Sequence, residues 1–231
     1  MGNGGLDRVA VALDTSSWDR FEGWCRLFGP RVGALKVGLE AYLTWGERAV
    51  RTAGRWGERV FLDLKLHDIP TTVARAVRAV RRLEEVDYLT VHAAGGRPML
   101  TAAAEAAHER PALLAVTLLT HLDEEELGRL DLPGAGAERV LRWAGIARDA
   151  GCSGAVCSPL ELETLRPALP PPFRLVTPGV RPAAAAADDQ RRTATPAEAV
   201  AAGADLLVMG RPLTGAADPE AALERLAAEL R

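Results

Sequence analysis

The stretch RVFLDLKLHDIPTTVARAVRAVRRLEE, residues 59–85, shows the pattern that recurs along the whole chain. An apolar run rich in branched residues, RVFLDLK (59–65), is followed by TTVARAVRAVRRLEE (71–85), whose valines recur at helical spacing. The first pattern is typical of a strand that is buried on both faces, and the second is typical of an amphipathic helix. The stretch therefore predicts a strand followed directly by a helix.

Seven further apolar runs of this kind alternate with segments rich in Ala, Leu, Arg and Glu. Strands that alternate with helices predict βαβ units and a parallel sheet. Eight strands in 231 residues match a (β/α)8 TIM barrel, which we expect to form one α/β domain over residues 1–231. A doubly wound sheet is the alternative, but the first turn, LDTSSWDR (13–20), lacks a glycine-rich phosphate fingerprint. The seven runs are RVAVALD (8–14), GALKVG (33–38), DYLTVHA (87–93), ALLAVTLLT (112–120), GAVCS (154–158), FRLVTPG (173–179) and DLLVMGR (205–211).

Two segments lie outside this pattern. Residues 1–6 are expected to form a disordered tail. The irregular stretch TPGVRPAAAAADDQRRTATP (177–196) lies between the seventh strand and the next helix. Long loops in compact domains are usually lids or binding loops, so we expect residues 178–195 to form a phosphate-binding lid rather than a plain surface loop.

The composition excludes several classes of protein. A formal net charge of −3 with scattered arginines provides no footprint for nucleic acid. No apolar run approaches the roughly 20 residues that a membrane span requires. The three cysteines lack Cys-x-x-Cys spacing, and the N-terminus has no apolar signal region. We therefore expect a cytoplasmic protein that acts on a small molecule.

Lysine is rare in this chain: among 28 basic residues only Lys36 and Lys65 are lysines, and they end the second and third predicted strands. Arginine would serve a structural salt bridge at least as well, whereas lysine can release its proton and its pKa shifts readily. The two-residue period of the third strand places Asp63 and Lys65 on its inward face. This pattern favours proton transfer, with a structural ion pair at the barrel mouth as the alternative.

The segment VMGRPL (208–213) ends the eighth predicted strand with Gly210 and Arg211. Barrels of this type frequently bind phosphate in the loops after strands seven and eight. Arginine offers a two-pronged donor, and a glycine lets backbone N–H groups approach the anion. We expect Arg181 and Gln190, from the loop after strand seven, to complete a phosphate site; the alternative is that Arg211 is an ordinary surface arginine.

Histidines raise the possibility of a metal site. His67, His92 and His121 all lie near predicted strand ends, and together with Asp63 they could ligate a metal ion. Histidines at a barrel rim are more often hydrogen-bonded packing residues, which is the interpretation we favour.

Six motifs, in order along the chain, resemble the orotidine 5′-phosphate decarboxylase family, bacterial type. The resemblance extends from LDTSS (13–17) to the last strand, and it implies a homodimer that converts orotidine monophosphate to uridine monophosphate and CO2 in pyrimidine biosynthesis. It implies no metal and no organic cofactor. The motifs are LKVG (35–38), Asp-x-Lys-x-x-Asp-Ile-Pro (63–70), VHAAGG (91–96), TPGVRP (177–182), DDQRR (188–192) and GRP (210–212).

The resemblance also implies roles for individual residues. Lys65 would protonate C6 of the pyrimidine as CO2 leaves, with Asp63 beside the departing carboxylate. Asp68, with Ile69 and Thr72, would reach into the site of the neighbouring subunit. Asp14 and Lys36 would contact the ribose hydroxyls, and Lys36 would also belong to the catalytic charge network. Thr120 and Pro178 would line the pocket for the base. The phosphate would be held by Arg181, Gln190, Gly210 and Arg211.

One residue departs from the family pattern, and three rival functions remain. His121 stands where many relatives have serine, which leaves the details of base recognition open. A metal-dependent decarboxylase of sugar-acid phosphates would place a carboxylate where this chain has Lys36. A phosphosugar epimerase would depend on the histidine site, and a protein that only binds phosphoribosyl ligands would not require Lys65.

Overall fold

The computed structural model describes residues 4–132, 136–182 and 194–231. Eight parallel strands pair in chain order, and the first pairs with the eighth to close the barrel. The predicted (β/α)8 TIM barrel is confirmed, and the doubly wound alternative is wrong because an open sheet has two free edges. The strands are β1 Val9–Ala12, β2 Ala34–Val37, β3 Val60–Leu66, β4 Val86–His92, β5 Ala112–Val116, β6 Gly154–Val156, β7 Arg174–Pro178 and β8 Leu206–Met209.

Helices surround the barrel, and several begin where the sequence supplies a helix start signal. Pro70 opens α4, where the missing N–H costs no hydrogen bond. Thr195 caps α9 through a reciprocal pair of hydrogen bonds with Glu198. The helices are α1 Trp18–Phe28, α2 Leu39–Trp45, α3 Glu47–Trp56, α4 Pro70–Val80, α5 Gly96–Ala107, α6 Glu124–Arg129, α7 Gly136–Asp149, α8 Leu162–Ala168, α9 Pro196–Ala201, α10 Arg211–Thr214 and α11 Pro219–Glu229.

The barrel interior is closed by a small apolar plug below the rim. Phe61 and Tyr88 fill its centre edge to face, with ring centroids 6.0 Å apart, and small residues at Ala10 and Ala34 leave room for them. Because side chains alternate along a strand, the residues two positions further on point inward one layer higher. This higher layer begins with Asp63 on β3 and forms the floor of the rim.

Leu6, which belongs to the segment expected to be disordered, has a defined structure. Leu6 begins a short 3-10 turn and its side chain is buried, so the disordered tail expected over residues 1–6 is wrong at Leu6. The carbonyl of Leu6 accepts a hydrogen bond from the Gly33 N–H at 2.9 Å. Apolar contacts explain the order, because Leu6 packs in the layer between strands and helices.

The described residues also bear on two expectations from composition. Within that part of the chain no helix is both long and apolar enough to cross a membrane. All three cysteines are buried free thiols. Burial raises the pKa of each thiol to about 12, which makes them poor nucleophiles.

We predict that Gly33→Ala destabilises the barrel. A Cβ at this position would lie 1.9 Å from the carbonyl oxygen of Asp7, so the backbone must shift, at a cost of about 1–3 kcal/mol. Urea unfolding measures the loss. The matched control is Gly23→Ala in α1, where an added Cβ would have no atom within 4 Å apart from its chain neighbours and the backbone of its own helix, so this variant should be as stable as the wild type or slightly more so. Equal unfolding midpoints for Gly33→Ala and wild type would contradict the packing described.

Candidate active site

Two joined cavities occupy the carboxyl-terminal end of the barrel. The larger has a volume of about 650 Å³, and the smaller has about 170 Å³. Asp63, Pro178 and Val208 line both, so the cavities meet above β3, β7 and β8. A ligand with two unlike ends could therefore span them, with its middle close to Asp63.

Four charged side chains form a chain across the junction of the cavities. Lys36 Nζ lies 3.5 Å from Asp14 Oδ1 and 3.3 Å from Asp63 Oδ2. Lys65 Nζ donates to both carboxylate oxygens of Asp63 at 2.9 Å. The structure thus brings the two lysines predicted from their rarity onto one buried carboxylate.

The side chain of Asp63 is only 12% exposed, but its carboxylate is held in its charged form. Burial alone would raise its pKa, but the ammonium groups of Lys36 and Lys65 and hydrogen bonds from Lys65 and Thr90 oppose that effect. The balance holds the pKa of Asp63 below its ordinary value. The site therefore keeps a fixed negative charge next to two cations.

The strand that carries Asp63 and Lys65 is irregular where it reaches the rim. Leu62 pairs with Leu89 and Leu66 pairs with Val91, so the β3–β4 register shifts between them. Lys65 adopts a left-handed backbone with φ of 51°. The inward and outward faces expected for this strand are nevertheless retained, because Leu62, Leu64 and Leu66 pack on the outer apolar layer.

Two residues of the site were missed by the sequence analysis. Thr90 is fully buried beside Asp63, and in the sequence it is one β-branched residue in an ordinary strand pattern. Gly38 leaves space for Asp14: a Cβ there would lie 2.3 Å from Asp14 Oδ1. The glycine of the LKVG motif was a signal that could have indicated this close approach.

The larger cavity contains most of the residues expected to bind phosphate. Gly210, Arg211 and Arg181 line it, away from the smaller cavity. Gln190 and residues 183–193 as a whole lie outside the described part of the chain. The two ends of the predicted lid meet, because the Arg181 N–H donates to the Ala194 carbonyl at 3.0 Å.

The smaller cavity contains the residues expected to bind a base. Thr120 and Pro178 line it together with apolar side chains that include Val116 and Leu118. Lys65 also lines this cavity. His121 is exposed and is not among the lining residues, so the departure from the family pattern lies outside the cavity wall.

The third group of expected site residues lies away from both cavities of its own chain. Asp68, Ile69 and Thr72 are exposed on the loop and helix start that follow β3. The Asp68 carboxylate accepts a hydrogen bond from the Ile69 N–H at 2.6 Å. Ile69 is 66% exposed.

Two of the three histidines considered as metal ligands, His67 and His92, stack on each other. His67 and His92 have ring centroids 5.2 Å apart, and the edge of Trp143 lies against His92. Burial lowers the pKa of His92, and the positive charges of His67 and Lys65 lower it further. Across the described ranges, no three His, Cys, Asp or Glu side chains are placed to hold a metal ion.

Comparison with known proteins identifies the family. Residues 7–226 match the description "Orotidine 5′-phosphate decarboxylase / HUMPS family". The chain belongs to the orotidine 5′-phosphate decarboxylase family. It is 51% identical over 224 residues to the protein of that name from Thermobifida fusca, covering 96% of this chain and 95% of the relative. It is 50% identical over 224 residues to the enzyme from an Anaeromyxobacter species, covering 97% of this chain and 98% of the relative.

Solved structures agree with this assignment. The crystal structure of orotidine 5′-phosphate decarboxylase from Lactobacillus acidophilus superimposes with a TM-score of 0.83 and 35% identity, covering 96% of this chain and 98% of that one. The family resemblance predicted from six motifs is confirmed, as is the prediction that the chain is a carboxy-lyase.

We predict that Lys36→Met raises the pKa of Asp63, because burial then acts with one compensating ammonium fewer. In the wild type the depressed pKa stabilises the fold above the ordinary Asp value of about 4, and this stabilisation disappears as pH falls through the folded pKa. Urea unfolding at pH 6 and at pH 2 measures the acid loss, which is the free energy of unfolding lost between these two pH values. We expect this acid loss to be smaller in Lys36→Met than in the wild type.

The control is Arg51→Met, which removes an exposed cation paired with Glu47 and Glu85 on the outside of the barrel. Its acid loss should equal that of the wild type, since exposed pairs are screened by solvent. An unchanged acid loss in Lys36→Met would show that Lys36 does not hold the Asp63 charge.

Proposed function

We propose that this chain converts orotidine 5′-phosphate into uridine 5′-phosphate and CO2, a step of pyrimidine biosynthesis. The observation that carries the proposal is the pair of 2.9 Å hydrogen bonds from Lys65 Nζ to Asp63, at the junction of a polar and a largely apolar cavity. An ammonium held at that point by an ionised carboxylate supplies the positive charge that stabilises the electron pair left on a ring carbon when CO2 departs.

The proposed substrate orientation follows from the two cavities. The phosphate lies at the far end of the larger cavity, where Arg181 and Arg211 offer charged donors and Gly210 leaves the backbone accessible. The ribose hydroxyls lie at the middle, against Asp14 and Lys36. The pyrimidine ring enters the smaller cavity, whose wall contains Thr120 and Pro178.

The chemistry uses Lys65 as the proton donor. When the bond between C6 and the carboxylate breaks, CO2 leaves and the electron pair stays on C6 of the ring. The Lys65 ammonium stabilises this developing negative charge and then transfers one proton to C6. Arginine holds its proton too tightly for this step, which gives a physical reason for lysine in a chain whose other basic residues are almost all arginine.

The remote phosphate and the predicted lid serve the same step. Binding energy from a part of the substrate that does not react can be used to orient the part that does. We propose that residues 178–195, including Gln190, close over the phosphate, as many loops at barrel rims do. The hydrogen bond between Arg181 and Ala194 supports this by joining the two ends of the segment.

A homodimer is proposed from exposed residues beside the site. Leu43 is 79% exposed and Leu39 is 47% exposed at α2, and Ile69 follows the neighbouring strand β3. Adjacent exposed apolar residues at one rim favour an interface between copies of the chain. Asp68 and Thr72 lie on the same side, and we propose that they contribute to the site of the partner.

We predict that protein treated with a chelator still consumes orotidine monophosphate, which is measured from the absorbance of the substrate. We also predict that Lys65→Arg lowers kcat ~100- to 10,000-fold. The variant should still bind uridine monophosphate, since it keeps a cation and the phosphate site. The matched control is Arg59→Lys, a reciprocal exchange at an exposed ion pair with Glu58, which should leave kcat unchanged. Activity that requires added metal, or a fully active Lys65→Ala variant, would refute the proposal.

We predict that two inactive variants restore activity when their subunits are mixed. Lys65→Ala and Asp68→Ala should each be inactive alone. A mixed dimer contains one site with both wild-type residues only if Asp68 acts across the interface. Unfolding and refolding an equal mixture should then recover roughly a quarter of wild-type activity, because about half the dimers are mixed. If Asp68 acts within its own chain, mixing recovers nothing.

A further inference from the structure

The pairing between β3 and β4 is interrupted at a point where one residue of β4 lies opposite three residues of β3. Leu62 pairs with Leu89 and Leu66 pairs with Val91, so residues 63–65 face only Thr90. Two residues of β3 therefore have no counterpart in the ladder. Both proposed reaction-centre residues, Asp63 and Lys65, lie in this short irregular segment, and the side chain of Thr90 lies against it.

The Thr90 hydroxyl replaces the missing ladder bond. The backbone N–H of Lys65 donates to Thr90 Oγ1 at 2.8 Å. Lys65 has a φ of 51°, a left-handed conformation that is unfavourable for a residue with a Cβ unless the surroundings hold it. The hydrogen bond to the Thr90 hydroxyl stabilises this conformation of Lys65, and so do the hydrogen bonds from Lys65 Nζ to Asp63.

The same hydroxyl also binds the carboxylate. Thr90 Oγ1 donates to Asp63 Oδ1 at 2.9 Å. A backbone N–H can only donate and an ionised carboxylate can only accept, so the direction of the hydroxyl proton is settled by its two partners. Thr90 is fully buried and is not among the residues that line either cavity. Its contact with the reaction centre therefore passes through Lys65 and Asp63.

We propose that Thr90 is a positioning residue of this enzyme: one hydroxyl holds the backbone of Lys65 in its left-handed turn and the carboxylate of Asp63 in its orientation, so that the ammonium faces the smaller cavity. The proposal rests on the proposed function only for the activity readout. The geometry itself is a property of the protein without substrate.

A purely structural threonine is the competing interpretation, and the chain offers a matched example. Thr117 is also fully buried, at the end of the neighbouring strand β5, and its hydroxyl donates to the Val156 carbonyl at 2.7 Å. It bonds neither Asp63 nor Lys65. Comparing the same substitution at both positions separates the loss of a buried hydrogen bond from the loss of positioning.

The experiment compares Thr90→Val, Thr90→Ser and Thr117→Val. Thr90→Val keeps the shape and removes both hydrogen bonds, so kcat should fall ~10- to 100-fold, the range for losing a bond to a charged group, while KM changes little. The pKa of Asp63 should rise because the hydrogen bond to its charged form is gone, leaving Lys36 and Lys65 as its charged neighbours. The acid limb of the kcat profile should then move to higher pH.

Thr90→Ser keeps the hydroxyl and should restore kcat and the acid limb. Thr117→Val should unfold at lower urea concentration with kcat and the acid limb unchanged. Wild-type kcat and acid limb in Thr90→Val, or failure of Thr90→Ser to restore them, would overturn the proposal. A shift of equal size in Thr117→Val would overturn it as well.

A second measurement uses the wild-type protein without substrate, so it depends neither on the folding of a variant nor on turnover. In the wild-type protein the Thr90 hydroxyl proton, sheltered from water, should give an NMR signal with a cross-peak to the Lys65 amide. Absence of that contact would overturn the positioning role even if the enzyme is active. If the contact is present and orotidine monophosphate is not consumed, the proposed function fails and the positioning geometry stands.

Discussion

The carboxylate of Asp63, bonded to the ammonium of Lys65 and lying 3.3 Å from that of Lys36, is the interaction on which the organisation of the rim depends. A buried carboxylate without partners would be protonated or would destabilise the fold. Two cations and a threonine hydroxyl keep it charged, and in return it keeps two ammonium groups at one point. The fold therefore accepts a dense charge cluster at the mouth of an otherwise apolar barrel.

The barrel positions this cluster through the simplest property of a strand. Alternation places Asp63 one layer above Phe61, and Lys36 one layer above Ala34, so the charged layer rests on an apolar plug. The plug excludes water from below, and the two cavities open above. Since the charged groups stand on barrel strands and are paired with one another, the proposed reaction would need little reorganisation of them when negative charge develops on a substrate.

The sequence predicted the fold well because hydrophobic periodicity determines it, and all eight apolar runs became strands. It also predicted the Asp63–Lys65 pair, because the rarity of lysine made two positions conspicuous. Thr90 was missed, since its importance comes from a register shift that appears only when β3 and β4 pair. The expectation of disorder was wrong at Leu6, because the burial of Leu6 depends on packing that no local pattern reveals. The roles of Asp68 and Gln190 stay predictions.

The central claim is that the two lysines share one ionised carboxylate, and the chain allows a direct measurement. With lysine labelled by nitrogen-15 at Nζ, the protein contains only two labelled side chains. Both signals should change together as Asp63 takes up its proton, below the ordinary aspartate pKa of about 4, and this shared change should vanish in Asp63→Asn. Signals that do not respond in that range, or a response from one lysine alone, would contradict the account.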